Sequence, residues 1–570
     1  MYKNSKYTVL FPLLLAAGVV LGLLLGQYMG RNSTTSEIKG MLRQMALPTN
    51  KLTYTLSLIE NQYVDSVAMD SLAEHVIPLL VKELDPHSVY IPASEMQEIN
   101  EPLEGEFDGI GVVFNMATDT VIVLNVIPQG PSDKAGIKAG DRIIEINDTL
   151  VAGQKIPQRD VVKKLRGPRG TTVHLGLGRQ GISDLVGVDV VRDKIPIKSV
   201  ESAFCIADGI GYIRHSDFTE GCYEDMRAAV EKLRTGGELK GLILDYRSNG
   251  GGIMQEAIKI LGMFVPKGTE VVSTKGRTED SRQVYRTSSE PILPDLPLAV
   301  LINGNSASAS EIVTGALQDL DRAVVIGQRS YGKGLVQTPR PLGYNAMLKL
   351  TTAKYYIPSG RCIQAIDYSH SQEGTVRSVP DSLISEYTTR AGRKVYDGGG
   401  IMPDIRTEPE YISRFAMTLY ALGFIEDFGD EYVRRHPGQQ IDIRTFSITD
   451  GDYAEFAEFM KDKEVPYESD TRRALKKLRE AAKTDRFEEV EQQIAAIDST
   501  LRDDTATNLE TYRKEIVESI NNDIVLRHGY SEGVIEHSLP DDGDVLKAIE
   551  ILGNGQEYAR IVTEQDTPRK

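Results

Sequence analysis

Cysteine is scarce in this chain, with only Cys205, Cys222 and Cys362 among 570 residues. Three thiols cannot build a disulfide scaffold, and none stands in a metal or redox spacing. Each reads as a small buried side chain, with a Cys205–Cys222 pair left open. Positive charge is also short. Lys and Arg number 65 against 82 Asp and Glu, a net charge of −17 with His neutral. That balance argues against nucleic acid as a partner, because phosphate binding needs clustered basic side chains. Internal repeats and low-complexity tracts are absent, which excludes solenoids and arrays. Long apolar runs are absent with one exception, from about Thr8 to Met29.

That exception carries no charge, follows Lys3 and Lys6 and precedes Arg31. It is long enough to cross a bilayer, and longer than the apolar part of most cleaved signals. No small-x-small cleavage site follows, and no nearby Cys could carry a lipid. The expectation is an uncleaved signal-anchor over residues 1–31, with its basic end in the cytoplasm and the rest of the chain outside. A cleaved signal is the alternative.

A chain this long predicts several domains, since single cores rarely grow past about 250–300 residues. Its apolar fraction of 41% and charged fraction of 26% are those of ordinary globular proteins. Residues 32–104 read as mostly helical, with Leu52, Leu56, Ile59, Tyr63 and Val64 at three- and four-residue steps. Residues 105–193 change to short strands and turns. Among them are Gly109 to Phe114, Val121 to Leu124, Asp141 to Asn147 and Thr172 to Leu177. Residues 194–409 alternate strands with helices. Gly241 to Asp245 and Leu298 to Ile302 are nearly continuous apolar runs, as expected of strands covered on both faces. Residues 410–570 are charged and helical, and suggest long amphipathic helices.

Two segments invite chemistry. The run Asn303-Gly304-Asn305-Ser306-Ala307-Ser308-Ala309-Ser310-Glu311 joins a strand to a helix through small residues. Such a turn exposes one side chain and the following N–H groups at a positive helix end, which suits a nucleophilic Ser. It also suits a simple helix cap. In Ser330-Tyr331-Gly332-Lys333-Gly334-Leu335-Val336-Gln337 a Lys stands between glycines. That can be a surface turn; the full phosphate-loop pattern is missing.

Together the two segments resemble the carboxy-terminal processing peptidases, or tail-specific proteases. In that family a Ser-Ala-Ser-Ala-Ser-Glu segment carries the nucleophile and a Phe/Tyr-Gly-Lys-Gly-x-x-Gln segment the base. Leu84-Asp85-Pro86-His87-Ser88, Thr351-Thr352-Ala353-Lys354-Tyr355-Tyr356, Pro358-Ser359-Gly360-Arg361 and Gly399-Gly400-Ile401-Met402-Pro403-Asp404 match as well. The resemblance implies Ser308 as nucleophile, Lys333 as general base and Gln337 as the residue that orients Lys333. It implies the N–H groups of Ala309 and Gly251 as the oxyanion hole. Gly250 stands where the family usually has Pro, so that loop should be more flexible. Burial would make Lys333 a competent base by disfavouring its charged form. The eight histidines all lie outside the two segments, which weakens a His-based alternative.

Residues 105–193 resemble the PDZ domain such proteases carry, through Gly109-Ile110-Gly111-Val112, the stretch 135–141 and Leu165-Arg166-Gly167-Pro168-Arg169-Gly170-Thr171. PDZ domains add a peptide C-terminus as a strand and hold its carboxylate on loop N–H groups; Gly109, Ile110, Gly111 and Val112 would do so here. In relatives a basic PDZ residue can reach the catalytic Gln, and Arg166 is the candidate for that gating role.

The implied fold is a multidomain α/β chain. It has a crotonase-like ββα protease core, an inserted PDZ-like β domain, an N-terminal transmembrane anchor and a C-terminal helical region. The implied function is a serine endopeptidase that recognises C-terminal tails of extracytoplasmic proteins, at the periplasmic side of a bacterial inner membrane. Polypeptides and the membrane are the expected partners, with homo-oligomerisation through the C-terminal helices open. No metal and no cofactor is expected. The alternatives are a catalytically silent PDZ scaffold, against which intact Ser308, Lys333 and Gln337 speak, and a crotonase-like acyl transferase.

Overall fold

The computed structural model describes residues 50–116, 119–367, 377–378, 384–409, 411–501 and 504–563. The apolar run expected to anchor the chain lies outside the described residues. Among those described, no helix is long and apolar enough to cross a membrane. The chain divides into two compact units, Met1–Glu83 and Leu84–Lys570. In the first, α1 (Asn50–Gln62) holds the expected apolar steps at Leu52, Leu56 and Ile59, while Tyr63 and Val64 lie exposed past its end; α2 (Met69–Lys82) follows.

The second unit opens with a short strand, β1 (Val89–Ile91), and a helix, α3 (Met96–Glu104). Next comes β2 (Glu106–Gly109), then β3 (Val112–Asn115), β4 (Val121–Val126), β5 (Arg142–Ile146) and β6 (Thr149–Leu150). Helix α4 (Gln158–Leu165), β7 (Thr172–Gly178), β8 (Val186–Val191) and β9 (Asp193–Pro196) complete this β domain. Its sheet runs β3-β4-β5-β7-β8 with β6 on β5, and β2 pairs antiparallel with β9, so the chain enters and leaves by one ribbon. Val173, Leu175 and Leu177 alternate along β7 and are fully buried with Val121, Val123, Ile143 and Val161. The stretch Gly109 to Phe114, expected as one strand, is two. Gly111 takes φ +74°, which turns the chain between β2 and β3 at no steric cost to a residue without Cβ.

The α/β core follows, with β10 (Val200–Ala207), β11 (Ile210–His215), α5 (Cys222–Thr235), β12 (Gly241–Asp245) and α6 (Met254–Leu261). Strands β13 (Glu270–Gly276), β14 (Gln283–Arg286) and β15 (Leu298–Ile302) lead into α7 (Ala309–Asp319). Then come β16 (Val324–Gly327), β17 (Leu335–Gly343), β18 (Ala346–Tyr356) and β19 (Ile405–Arg406). One sheet has the order β10-β11-β12-β15-β16-β19, antiparallel at the first pair and parallel thereafter. A second has the order β1-β18-β13-β14, with β17 also on β18.

All five residues of β12 and of β15 are buried, because both faces of their sheet are covered. Helices α5, α6 and α7 pack one face, around Leu244, Val300, Val230, Ile260 and Val313. The other face is covered by the chain's C-terminal end. After α8 (Arg414–Ala421), α9 (Phe424–Arg435), α10 (Asp450–Phe459), α11 (Asp470–Asp485), α12 (Glu488–Thr500), α13 (Thr505–Thr511) and α14 (Arg513–Ser538) come α15 (Gly543–Gly553) and α16 (Gly555–Thr563). Val545, Ala548, Ile551 and Leu552 of α15 and Val562 of α16 cover Tyr212, Ile243, Ala299, Leu301 and Val324. Helices α8, α9, α10, α13 and α14 form a separate core around Phe415, Phe428, Phe456 and Ile520. The helical region of unassigned role thus completes the sandwich around the sheet. The three cysteines are free, Cys222 buried and Cys205 exposed, so the pairing left open does not form.

Candidate active site

Strand β15 and helix α7 meet at Ser308, whose φ of +56° and ψ of −112° lie outside the regions a side chain ordinarily occupies. The turn is held from every side. Ser306 Oγ donates to the Tyr246 carbonyl at 2.9 Å, and Asn303 N–H donates to Ser306 Oγ at 2.9 Å. Ala307 N–H and Ser310 Oγ both donate to the Asn249 carbonyl, each at 2.9 Å. Every residue of α7 is buried, so the strained residue rests on a rigid base.

Glu311, the last residue of the same motif, joins this turn to the lysine loop. Its Oε2 accepts from Ser308 N–H at 2.8 Å and from Lys333 N–H at 2.9 Å. Its Oε1 accepts from Gly332 N–H at 2.7 Å and from Ser330 Oγ at 2.5 Å. Tyr355 Oη, from β18, adds a second tie by donating to the carbonyls of Lys333 at 2.5 Å and Ser308 at 3.2 Å. Burial pushes the Glu311 carboxyl up to about 7, against the pull of these hydrogen bonds. Burial and the neighbouring Lys349 lower the Lys333 ammonium, with Glu311 and Asp85 opposing.

Gln337 lies on β17, and its amide donates to Thr351 Oγ1 at 3.2 Å. Thr351 Oγ1 donates in turn to Asp85 Oδ1 at 3.2 Å, while Thr351 N–H donates to Ser88 Oγ at 3.0 Å. Asp85 also gathers the N–H groups of His87 and Ser88, each at 2.8 Å. The Asp-Pro-His-Ser turn therefore braces the strand pair that carries Gln337 and that Lys333 leads into. Burial, and after it the neighbouring Lys333, lower the His87 imidazole, with Asp85 opposing. His215 is buried against Phe218 and Tyr246, and burial drives its imidazole down to about 3.

The candidate oxyanion donors flank Ser308. A Cβ on Gly251 would lie 2.7 Å from both the Ala307 carbonyl oxygen and Ser308 Cβ, and 2.8 Å from Ala309 N. Only glycine tolerates that approach at φ +96°. The Gly251 N–H is donated to Asn249 Oδ1 at 2.9 Å. In the PDZ-like domain Ile110 is buried, and its carbonyl accepts from Ser132 N–H while that of Gly111 accepts from Ile127 N–H, each at 3.0 Å. Val112 begins β3 next to Gly109, Ile110 and Gly111. Arg166 Nη1 donates to Glu101 at 2.5 Å, and its guanidinium stacks 4.5 Å over Phe107. Gln337 and Arg166 thus have different partners in this arrangement. Among the described residues, no group of three or more His, Cys, Asp or Glu is arranged to hold a metal ion.

Residues 209–370 match the model of Peptidase family S41, residues 109–190 a PDZ domain, and residues 415–552 the "Probable PDZ-protease, C-terminal helical domain". The carboxy-terminal-processing protease of Bartonella bacilliformis is 38% identical over 59% of this chain and 76% of that protein. The chain belongs to the carboxy-terminal-processing protease family. CtpB of Bacillus subtilis, a carboxy-terminal processing protease, is 33% identical over 55% of this chain and 65% of its own. Among solved structures, the photosystem II D1 C-terminal processing protease is 25% identical over 65% of this chain and 89% of that one, at a TM-score of 0.36. The three family models give the fold as that of an S41 peptidase with a PDZ domain and a C-terminal helical domain.

Sequence reasoning on this family member singled out Ser308, Lys333 and Gln337 and assigned nothing to four other residues. Glu311 and Tyr355 stand inside the matching motif stretches, so a lone carboxylate closing a run of small residues was the available signal for Glu311. Asp85 likewise stood in a matching stretch. Arg247 gave no signal, because its partners, Asp542 and Asp544, lie 295 and 297 residues away.

Proposed function

We propose that this chain is an endopeptidase that cleaves polypeptides after recognising their C-terminal tails, with Ser308 and Lys333 as its catalytic pair. The observation that carries the reading is the Glu311 carboxylate, which accepts from the N–H groups of both Ser308 and Lys333. Neutral Lys333 takes the proton from Ser308 Oγ as that oxygen attacks the scissile carbonyl carbon. The oxyanion is received by Ala309 N–H and by Gly251 N–H, once the latter turns from Asn249. Lys333 then returns the proton to the departing amine, leaving an acyl-Ser308. A water deprotonated by Lys333 releases the acid and regenerates Ser308. Gln337, braced by Thr351, orients the Lys333 stem.

The PDZ loop at Gly109, Ile110, Gly111 and Val112 holds the tail carboxylate, with Arg166 beside it as a gating residue. On the same reading the N-terminal apolar run anchors the chain in a bacterial inner membrane, with the catalytic part on the periplasmic side. The support is the basic–apolar–basic order of residues 3–31. The test is cleavage of a protein with an apolar tail, free or C-terminally amidated. Amidation should lower kcat/KM by about tenfold or more, since it removes charge-assisted hydrogen bonds. Equal rates on the two substrates would defeat the tail-recognition reading.

A further inference from the structure

Between β12 and Gly251 lies a buried ion network that reaches the far end of the chain. Asp245, the last residue of β12, is fully buried. Burial pushes its carboxyl up, but Arg247 and Arg214 outweigh that and hold it at about 2. It accepts from Tyr212 Oη at 2.7 Å, from Arg214 Nη1 at 2.8 Å and from Arg247 N–H at 2.9 Å. Arg247 turns one edge of its guanidinium to Asp245, with Nη2 at 2.7 Å. The other edge meets two carboxylates of the C-terminal helical domain. Nη1 and Nη2 grip Asp542 in a bidentate pair at 3.0 and 2.7 Å, and Nη1 reaches Asp544 at 3.2 Å.

Asp542 is also the N-cap of α15, accepting from Asp544 N–H at 3.0 Å and Val545 N–H at 3.1 Å. The helix whose apolar face covers the sheet therefore also ends on the arginine that begins the loop. Arg247 precedes Gly251 by four residues, and Gly251 touches Ser308. From the other side the loop is fixed by Ser248 N–H donating to Asn303 Oδ1 at 2.8 Å and by Asn249 Nδ2 donating to the His215 carbonyl at 2.7 Å. A planar fork held on both edges has one orientation; held on one edge it can swing.

We propose that Asp542 and Asp544 are positioning residues for the oxyanion loop, acting through Arg247, so that the C-terminal helical domain sets the catalytic competence of Gly251. The inference rests on the proposed peptidase reading. Its test is the Asp542→Asn/Asp544→Asn variant of the full chain. Asn remains a good N-cap, so α15 keeps its start while Arg247 loses both charges. The expected result is a kcat lower by roughly ten- to a hundredfold, KM for a tailed peptide within about twofold, and a folded protein by thermal melt. The Asn pair combined with Arg247→Gln should be no slower than Arg247→Gln alone. Should the double variant not fold, Asp544→Asn alone, which keeps the Asp542 carboxylate at the cap, is expected to show the same kcat-selective loss in smaller measure. A folded variant with wild-type kcat, a loss confined to KM, or losses that multiply with Arg247→Gln would overturn the inference. Wild type without Ser308-dependent cleavage, read in the same assay with Ser308→Ala, would instead sink the parent reading and this one with it.

Discussion

At the scale of single residues, Glu311 decides how the site is assembled. Four donors converge on its two oxygens, from Ser308, Ser330, Gly332 and Lys333, and each oxygen serves one pair. In Glu311→Gln an amide nitrogen would replace one oxygen and face two donors it cannot accept from. An unsatisfied buried donor costs about 1–3 kcal/mol. The variant should melt several degrees lower and cleave at least about tenfold slower; wild-type melting and turnover would refute the tie. The pH dependence has a definite sign. Glu311 is raised from 4.5 to about 7, so the folded state keeps its proton between those values while the unfolded state has lost it. Its stabilising share is therefore full below that window and fades as pH rises through it. The tie itself needs the ionised carboxylate, so activity should fall as pH drops below about 7.

At the scale of elements, what the residues reveal depends on where their partners lie. The runs of β12 and β15 were legible as doubly covered strands because continuous Val, Leu and Ile without alternation require cover on both faces. One cover, α5 to α7, was legible as neighbouring βα units. The other was not. Helix α15 hides Val545, Ala548, Ile551 and Leu552 among charges, and pairs them with strands more than two hundred residues earlier in the chain. The single strand expected at Gly109 to Phe114 broke for a different reason, a local turn at Gly111 within an apolar run. Deleting residues 539–570 should strip one face of the sheet. Losing burial worth about 1.5–3 kcal/mol for each large apolar side chain removed should leave an insoluble or molten chain. A truncated protein with a wild-type melting curve would contradict the sandwich.

At the scale of the whole second unit, the PDZ domain meets both the core's approach and the helical domain. Arg142 of β5 pairs with Asp427 of α9, and Asn125 Nδ2 of β4 donates to Ser531 Oγ of α14 at 2.9 Å. Arg166 holds to Glu101 of α3. That the two motif segments meet was readable because they are close in sequence: Ser308 and Lys333 are 25 residues apart, and the strand and helix between them return the chain to the same edge. Asp85 and Tyr355, which brace those segments, stood in matching stretches that do not show what they touch, and Asp542, far along the chain, carried no mark of its own.

The central claim is that Lys333 activates Ser308. Its most direct test is the pH dependence of Ser308 labelling by a fluorophosphonate, followed by mass spectrometry, in wild type and Lys333→Ala. The account predicts labelling at Ser308 alone, with a wild-type rate that rises with pH through a midpoint below the ordinary lysine value of 10.5. Lys333→Ala should react about a hundredfold or more slowly at neutral pH. Adduct formation on another residue, or equal labelling of Ser308 in the two proteins, would contradict it.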